Sequence, residues 1–362
     1  MDAAELKRLA DAAARGDAAA QERLAQVLEQ AELHEQAVHW LRQAAAQGQP
    51  RAAIRLGLKE IAGSHLRADP ARGFTRLSGL ADRGDAEAAH LVAICHVAGL
   101  GTPRDLAHGL ARLAQAAERG QPLAREVLGL LAGGDASKTG ADWASLASCA
   151  DLSWFERPFE RRPACEEPRI ETLPDFLPVW ACRHVMRRAA PELARARVVD
   201  EAGGESVRGV RTNSVMSFGI ANSDVLLELI NLRIARAVGR LPEHAEGLGV
   251  LHYRPGETYL PHYDFIPETP QNAAQLRARG QRVHTLLVYL NDGFGGGETE
   301  FPRLGLRLRP PAGSAISFPS ITPDGELDPR SLHAGLPPSR GEKWLISKWF
   351  RTRPLRPLAP LA

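Results

Sequence analysis

The sequence predicts an α+β chain in two parts: an α-helical repeat array, or solenoid, over residues 1–132, and a β-rich jelly roll or sandwich with flanking helices over residues 173–354. Three observations predict it. Clusters of small residues followed by glycine recur at Gly16, Gly48, Gly84 and Gly120, at intervals of 32, 36 and 36 residues, the period of helix-pair repeats. From residue 249 onward the pattern changes to short apolar or alternating runs broken by closely spaced turn signals, as in a jelly roll or sandwich. Between them, residues 133–172 combine the stretch from Gly133 to Gly140 with a Trp, Phe and Pro mixture around Trp154 and Pro158, which reads as a partly packed linker; residues 355–362 read as a tail.

In the repeat segment Ala and Leu recur at helical spacing, and each glycine ends a helix where a left-handed cap is needed. The first unit departs from the period and reads as a capping helix pair. Two helices, 179–190 and 224–238, would flank the sheet. A strand over 249–253 enters a turn at Pro255-Gly256, and 259–265 resumes as strand. Residues 283–290 form a mostly apolar, β-rich run of the kind that fills a barrel core, stopped by Asn291-Asp292-Gly293. After a turn at Gly295-Gly296-Gly297 come short strand-like units over 298–302, 304–308, 315–318 and 344–351. The polar segment 267–282 reads as a helix-permissive insertion.

The chemistry is concentrated in His262-x-Asp264, His333 and Lys343. Two imidazoles and one carboxylate form the set that non-haem iron(II) oxygenases use to hold the metal by one face. In an extended strand residues i and i+2 point to the same side, so His262 and Asp264 can reach one ion. A lone His-x-Asp is more often a hydrogen-bonding pair than a metal site, and the strand context is what favours the metal reading. A lysine drawn into a low-dielectric pocket is costly unless it meets an anion, which suits Lys343 to an acidic co-substrate. His244, His252 and His284 read as strand or loop histidines outside the ligand set, and Tyr259 and Trp344 as core aromatics. Gly295-Gly296-Gly297 is a turn rather than a phosphate cradle, since no Gly-Lys-Ser/Thr follows.

Residues 173–354 resemble the catalytic domain of the prolyl 4-hydroxylase family within the iron(II)- and 2-oxoglutarate-dependent dioxygenases. The matching stretches are 210–214, 253–264, 285–291, 296–302 and 331–335, completed by Lys343-Trp344 and Lys348-Trp349-Phe350. The resemblance implies a double-stranded β-helix, with iron(II) held by His262, Asp264 and His333. It also implies 2-oxoglutarate paired with Lys343, with Tyr253 and Thr299 in the same pocket, dioxygen as second co-substrate and ascorbate as reductant. Arg211, Thr212 and Asn213 resemble the start of that family's mobile loop over the substrate. The implied activity is hydroxylation of a prolyl residue in a protein or peptide. A small-molecule or amino-acid oxygenase is one alternative, and a non-catalytic scaffold in which the repeats do the binding is another. The first part of the chain resembles the SEL-type branch of tetratricopeptide repeats, with residues 99–105 matching the loop between helices. That implies a concave face that recruits a protein or peptide substrate, against an array that only packs or self-associates.

Net charge is +2 with both signs interspersed, which gives no basic stripe for nucleic acid. Four scattered cysteines make neither a disulfide framework nor a zinc site. No apolar stretch is long enough to span a bilayer, and residues 1–5 lack a basic and hydrophobic signal, so the expectation is a cytoplasmic protein, of bacterial origin by its Ala, Arg and Leu bias.

Overall fold

In the computed structural model, which describes residues 2–133, 142–196, 198–199, 205–206 and 211–355, the amino-terminal part is a succession of paired helices. These are α1 (Ala3–Ala14), α2 (Ala18–Gln30), α3 (His34–Ala46), α4 (Pro50–Ala62), α5 (Pro70–Asp82), α6 (Ala86–Ala98), α7 (Leu106–Glu118) and α8 (Pro122–Leu131), each packed on the next. Asp2, Asp17, Asp69, Asp85 and Asp105 cap α1, α2, α5, α6 and α7, each accepting the N–H three residues on at 2.7–3.0 Å. The four periodic glycines, Gly16, Gly48, Gly84 and Gly120, sit between the helices of successive pairs at φ 95°, 84°, 102° and 92°, where a side chain would be strained. The short first interval also has a local cause. Residues 31–33 join α2 to α3, whereas the later pairs are joined by the longer 63–69 and 99–105, which accounts for the four missing residues.

Gly73 and Gly109, one period apart, let helices cross closely: a Cβ on Gly73 would stand 2.5 Å from the Gly57 carbonyl oxygen, and one on Gly109 2.6 Å from Val97. Gly101 is the tightest position, at φ 72° with a Cβ meeting the Pro70 carbonyl oxygen at 2.0 Å. Gly101→Ala is therefore expected to destabilise the repeat unit by roughly 2–3 kcal/mol from combined strain and overpacking. Denaturant unfolding followed by circular dichroism at 222 nm would show it.

By packing, the described chain forms two units, 2–151 with 220–228 and 152–219 with 229–355. The second unit holds β1 (Arg162–Cys165), β2 (Ile170–Leu173), β3 (Ala194–Arg195), β4 (Val198–Val199), β5 (Glu205–Ser206), β6 (Ser214–Phe218), β7 (Leu248–Tyr253) and β8 (Tyr259–His262). It continues with β9 (Arg282–Tyr289), β10 (Gly295–Gly296), β11 (Thr299–Phe301), β12 (Leu306–Leu308), β13 (Ala315–Pro319), β14 (His333–Gly335), β15 (Pro338–Arg340) and β16 (Lys343–Arg351). An antiparallel sheet in the order β1-β2-β13-β9-β16-β7-β6-β3 faces a smaller one, β12-β11-β14-β8. Leu251, Tyr253, Leu287, Tyr289, Ile316, Phe318 and Leu345 on the large sheet pack with Phe301 of β11 into one core. Side chains alternate along these strands, so the opposite face of the large sheet meets helices: Lys348 of β16 donates to Asn231 of the helix Val225–Val238 at 2.7 Å.

The stretch read as linker is more ordered than its composition suggests. Residues 134–141, like the tail beyond 355 and Val210, lie outside the described residues, but 162–165 and 170–173 form β1 and β2 of the large sheet. Edge position explains why β1 does not stand out in the sequence, because an edge strand tolerates Pro163 and exposed charge. Arg233, fully buried, ties the rest down: it donates to the carbonyls of Phe176, Phe155 and Arg157 at 2.7, 2.8 and 3.0 Å, its guanidinium beside the stacked rings of Phe159 and Phe176. The flanking helices Val179–Ala189 and Val225–Val238 stand where the periodicity expects them, and the insertion 267–282 carries the helix Ala273–Arg279. Cys95, Cys149, Cys165 and Cys182 are all unpaired. Among the described residues no helix is long and apolar enough to cross a membrane.

Candidate active site

Strand register brings the ligand candidates together. On the small sheet β14 pairs antiparallel with β8 so that His333 lies directly opposite His262. Asp264 is not on the strand, as the sequence suggests; β8 ends at His262 and the carboxylate reaches back from the bend that follows. Thr285 of β9 holds it there, donating to Asp264 Oδ2 at 2.6 Å from the large sheet. His262 Nε2 then stands 3.7 Å from Asp264 Oδ1, and His333 Nε2 3.5 Å from Oδ2. The three candidate ligand atoms all lie within 4.8 Å of one another, a cluster that can hold a metal ion.

Both imidazoles are oriented by one device. His262 Nδ1 lies 2.8 Å from the Leu260 carbonyl, and His333 Nδ1 3.0 Å from that of Ser331. A carbonyl cannot donate, so each Nδ1 carries the hydrogen and each Nε2 lone pair is left facing the cluster, the arrangement a metal ligand requires. Tyr259 stacks on His262 with centroids 3.4 Å apart, while Phe318 meets the His333 ring edge-on at 4.9 Å. Burial, followed by the neighbouring His333, pushes His262 down to about 3, so it is neutral around neutral pH. Burial works to raise Asp264, but the two imidazoles and the Thr285 hydroxyl outweigh it and hold the carboxyl below its usual range. Thr285→Val, which keeps the shape and removes the hydrogen bond, is expected to weaken metal binding by about ten- to a hundredfold in a chelator-competition titration.

Lys343 opens β16 directly opposite Tyr253 of β7. It is fully buried, and its Nζ has no hydrogen-bond partner among the described residues. The ammonium lies 5.0 Å from the centre of the Tyr253 ring and 5.3 Å from that of Tyr289. Burial pushes it down to about 7, with Glu298 opposing. Tyr253, Thr299, Lys343, His262, Asp264 and His333 line one pocket. Glycine makes room in it: a Cβ on Gly335, which pairs with Thr299 across the ladder, would come within 3.0 Å of the Tyr253 hydroxyl. A buried cation without a hydrogen-bond partner among the described residues, beside three converging metal-ligand atoms, fits a small dianion that also coordinates the metal.

The other candidates are not among the residues lining this pocket, although Arg211 packs on Tyr259, which does line it. Arg211, Thr212 and Asn213, read as the start of a mobile loop, lead instead into the paired strand β6; Arg211 bridges to Tyr259, its guanidinium 4.5 Å from that ring, and donates to Asn213 Oδ1 at 3.0 Å. The Thr212 hydroxyl is engaged with Thr258. Their hydrogen bonds run into backbone and neighbouring side chains, which explains why a polar trio here is ordered rather than loose. His252 faces Glu342, His284 faces Ser317, and His244 faces the Arg351 carbonyl, so none joins the cluster. Thr285 and Tyr289 went unnoticed in the apolar run of β9; the available signal was two hydroxyls at alternate positions, hence on one face.

Residues 248–351 match the model of the 2OG-Fe(II) oxygenase superfamily. The chain is similar to probable prolyl 4-hydroxylase 10 of Arabidopsis thaliana, 37% identical over 205 residues that cover 51% of this chain and 69% of the relative. Among solved structures it is similar to the viral collagen prolyl hydroxylase of Paramecium Bursaria Chlorella virus-1 in its 2OG complex, at 25% identity, TM-score 0.41, and coverage of 52% of this chain and 99% of that one. A Sel1 repeat protein from Oxalobacter formigenes matches at 25% identity and TM-score 0.34, over 39% of this chain and 61% of its own. On the identity and span shared with the plant enzyme and the superfamily match across the strands that carry the site, the chain belongs to the prolyl 4-hydroxylase family of iron(II)- and 2-oxoglutarate-dependent oxygenases.

Proposed function

We propose that this prolyl 4-hydroxylase-type hydroxylase binds iron(II) through His262, Asp264 and His333, holds the distal carboxylate of 2-oxoglutarate at Lys343 with Tyr253 and Thr299 beside it, and acts on a prolyl residue of a peptide recruited by the helical repeats. The observation that carries the reading is the buried, unpartnered Lys343 ammonium in the same pocket as the His-Asp-His cluster. The donor set fits the metal: two imidazole nitrogens and one carboxylate would suit a divalent iron and would leave coordination positions for co-substrate and dioxygen. When bound, the iron supplies the oxidative chemistry that couples decarboxylation of 2-oxoglutarate to hydroxylation of a C–H bond.

The protein's own residues do the rest. The Leu260 and Ser331 carbonyls and the Thr285 hydroxyl keep the three ligands aimed before the metal arrives, which lowers the reorganisation cost of binding. Lys343 sets how far into the pocket the dianion reaches, since its ammonium is fully buried beside the Tyr253 and Tyr289 rings. Leu251, Leu287 and Leu345 line the same pocket and exclude water from it.

The test is succinate formation from 2-oxoglutarate in air with added iron(II), with and without proline-containing peptides, for the full chain and a truncation lacking 2–132 if that truncation folds. Peptide-stimulated turnover with a gain of one oxygen on the peptide is the expected result. Turnover indifferent to every peptide would replace the peptide substrate by a small molecule, and equal KM for peptide with and without the repeats would remove recruitment from the proposal.

A further inference from the structure

Residues 354–362 read Pro-Leu-Arg-Pro-Leu-Ala-Pro-Leu-Ala, with prolines at 354, 357 and 360 and leucines at 355, 358 and 361. A proline-rich composition alone would mark only a linker or a tail. The fixed period says more, since no other three of the 26 prolines recur at every third residue. Three residues make one turn of a polyproline II helix, which rises about 3.1 Å per residue and so sets prolines of this spacing along one edge, about 9 Å apart. A sequence of this kind has little backbone freedom to lose on binding and offers the same ring at each turn.

Strand β16 carries the chain to this segment past the active site. Lys343, Leu345, Ser347 and Trp349 alternate along it on one face, and all four line the pocket of the His-Asp-His cluster. Burial falls along the series: Lys343 is 0% exposed, Leu345 and Ser347 are 2% exposed, and Trp349 is only partly covered. The pocket is therefore closed at the lysine and shallowest at Trp349, the end from which the chain leaves. Trp349 and Tyr259 give it two aromatic rings, the kind of lining on which proline-rich segments dock. Beyond the pocket the backbone is tied down. The Trp349 carbonyl accepts from Glu246 at 2.9 Å, the Thr352 N–H donates to the Gln281 carbonyl at 2.9 Å, and the Leu355 N–H donates to that of Glu243 at 2.7 Å. Pro354 lies within this bonded stretch, whereas Pro357 and Pro360 follow it by two and five residues. At about 3.1 Å per residue they can stand roughly 6 and 16 Å from Leu355.

We propose that Pro357 and Pro360 are themselves substrates of this site, hydroxylated by the same molecule or by a second copy of the chain. The inference rests on the reading of the pocket as a prolyl hydroxylase site. The step needs only the co-substrates of that reaction. One C–H bond of the proline ring becomes C–OH with one atom of dioxygen, while 2-oxoglutarate loses carbon dioxide and keeps the other atom as succinate. The ring carbon and the 2-oxo acid each give up two electrons, and dioxygen takes up all four. Pro354 is spared, because its neighbour Leu355 is bonded to the fold and cannot enter the pocket without breaking that bond.

The experiment incubates the full chain, loaded with iron(II), with 2-oxoglutarate in air, alone and beside an added proline-containing peptide, and reads the fragment 352–362 by tandem mass spectrometry. Wild type is expected to gain one or two oxygen atoms, placed on Pro357 and Pro360 and not on Pro354, and to gain none when 2-oxoglutarate is withheld. The double variant Pro357→Ala, Pro360→Ala should lose the gain and still hydroxylate the added peptide within about twofold of wild type. A modified fraction whose rate rises with protein concentration assigns the step to a second copy, and a rate independent of concentration assigns it to the same molecule; both uphold the proposal. Hydroxylation of the added peptide with no gain on 352–362 overturns this inference and leaves the prolyl hydroxylase reading standing. Absence of both, in a chain that binds iron(II) and 2-oxoglutarate, removes that reading as well. A gain that persists without 2-oxoglutarate is adventitious oxidation, and a gain confined to Pro354 contradicts the anchoring at Leu355; either counts against the proposal.

Discussion

Replacing His333 by alanine is expected to remove tight iron(II) binding and to lower succinate formation by roughly a thousandfold or more, with the fold retained. Its Nε2 is one of three candidate ligand atoms that converge on the site among the described residues. His252 is turned toward Glu342 and His284 toward Ser317, so no imidazole is free to take its place. The ring also packs against Phe301 and Phe318, and alanine there leaves a small cavity; a stability loss of about 1–3 kcal/mol should accompany the loss of metal. Metal content after dialysis, set beside the thermal midpoint, separates the two effects. Retention of stoichiometric iron by a folded His333→Ala protein would mean that the cluster is not the metal site.

The second large effect is at Lys343. Lys343→Met is expected to raise the KM for 2-oxoglutarate by about a hundred- to a thousandfold, the range that corresponds to removing one partner of a buried charge pair. The same substitution should raise the thermal midpoint of the co-substrate-free protein, because it removes a buried ammonium that has no hydrogen-bond partner among the described residues. The pH dependence follows from the depressed value of about 7 against an ordinary 10.5. Between these the unfolded chain holds a proton that the folded chain has released, so stability of the co-substrate-free protein rises as pH increases through that window, and the cost of burial is present in full below it. Co-substrate affinity runs the other way. The dianion pairs with the ammonium, so affinity is steady below pH 7 and falls by up to about tenfold per unit above it, until the unprotonated lysine no longer contributes. Titrations from pH 6 to 9 on wild type and Lys343→Met would show a slope in the first and none in the second.

How much of this was legible in the chain varies with the kind of signal. Gly16, Gly48, Gly84 and Gly120 mark the repeat because their backbone conformation excludes other residues, and the aspartate caps work through bonds only three residues long. Strands β7, β9 and β16 were visible as apolar or alternating runs, since each is paired on both sides in the large sheet and cannot afford a misplaced polar residue. Strands β1 and β2 were not: β1 is an edge, where Pro163 and charge are permitted, and β2 is held in place by pairing with β13, about 140 residues later in the chain. Arg211 to Asn213 looked loose for the opposite reason, because the Tyr259 and Thr258 partners that order them lie far away in sequence.

By itself, then, the sequence determined the residue types and spacings on which the chemistry depends, two imidazoles, a carboxylate and a lysine, together with a helical repeat written in local capping bonds. Only the tertiary structure decided that Asp264 leaves its strand to be held by Thr285, that both histidines present Nε2, that Lys343 is buried without a partner, and that Tyr289 stands between Thr299 and Leu308. Each of those depends on a distance between atoms that two facing sheets bring together. Such a distance is set by strand register and sheet packing, and no pattern along a single strand encodes it.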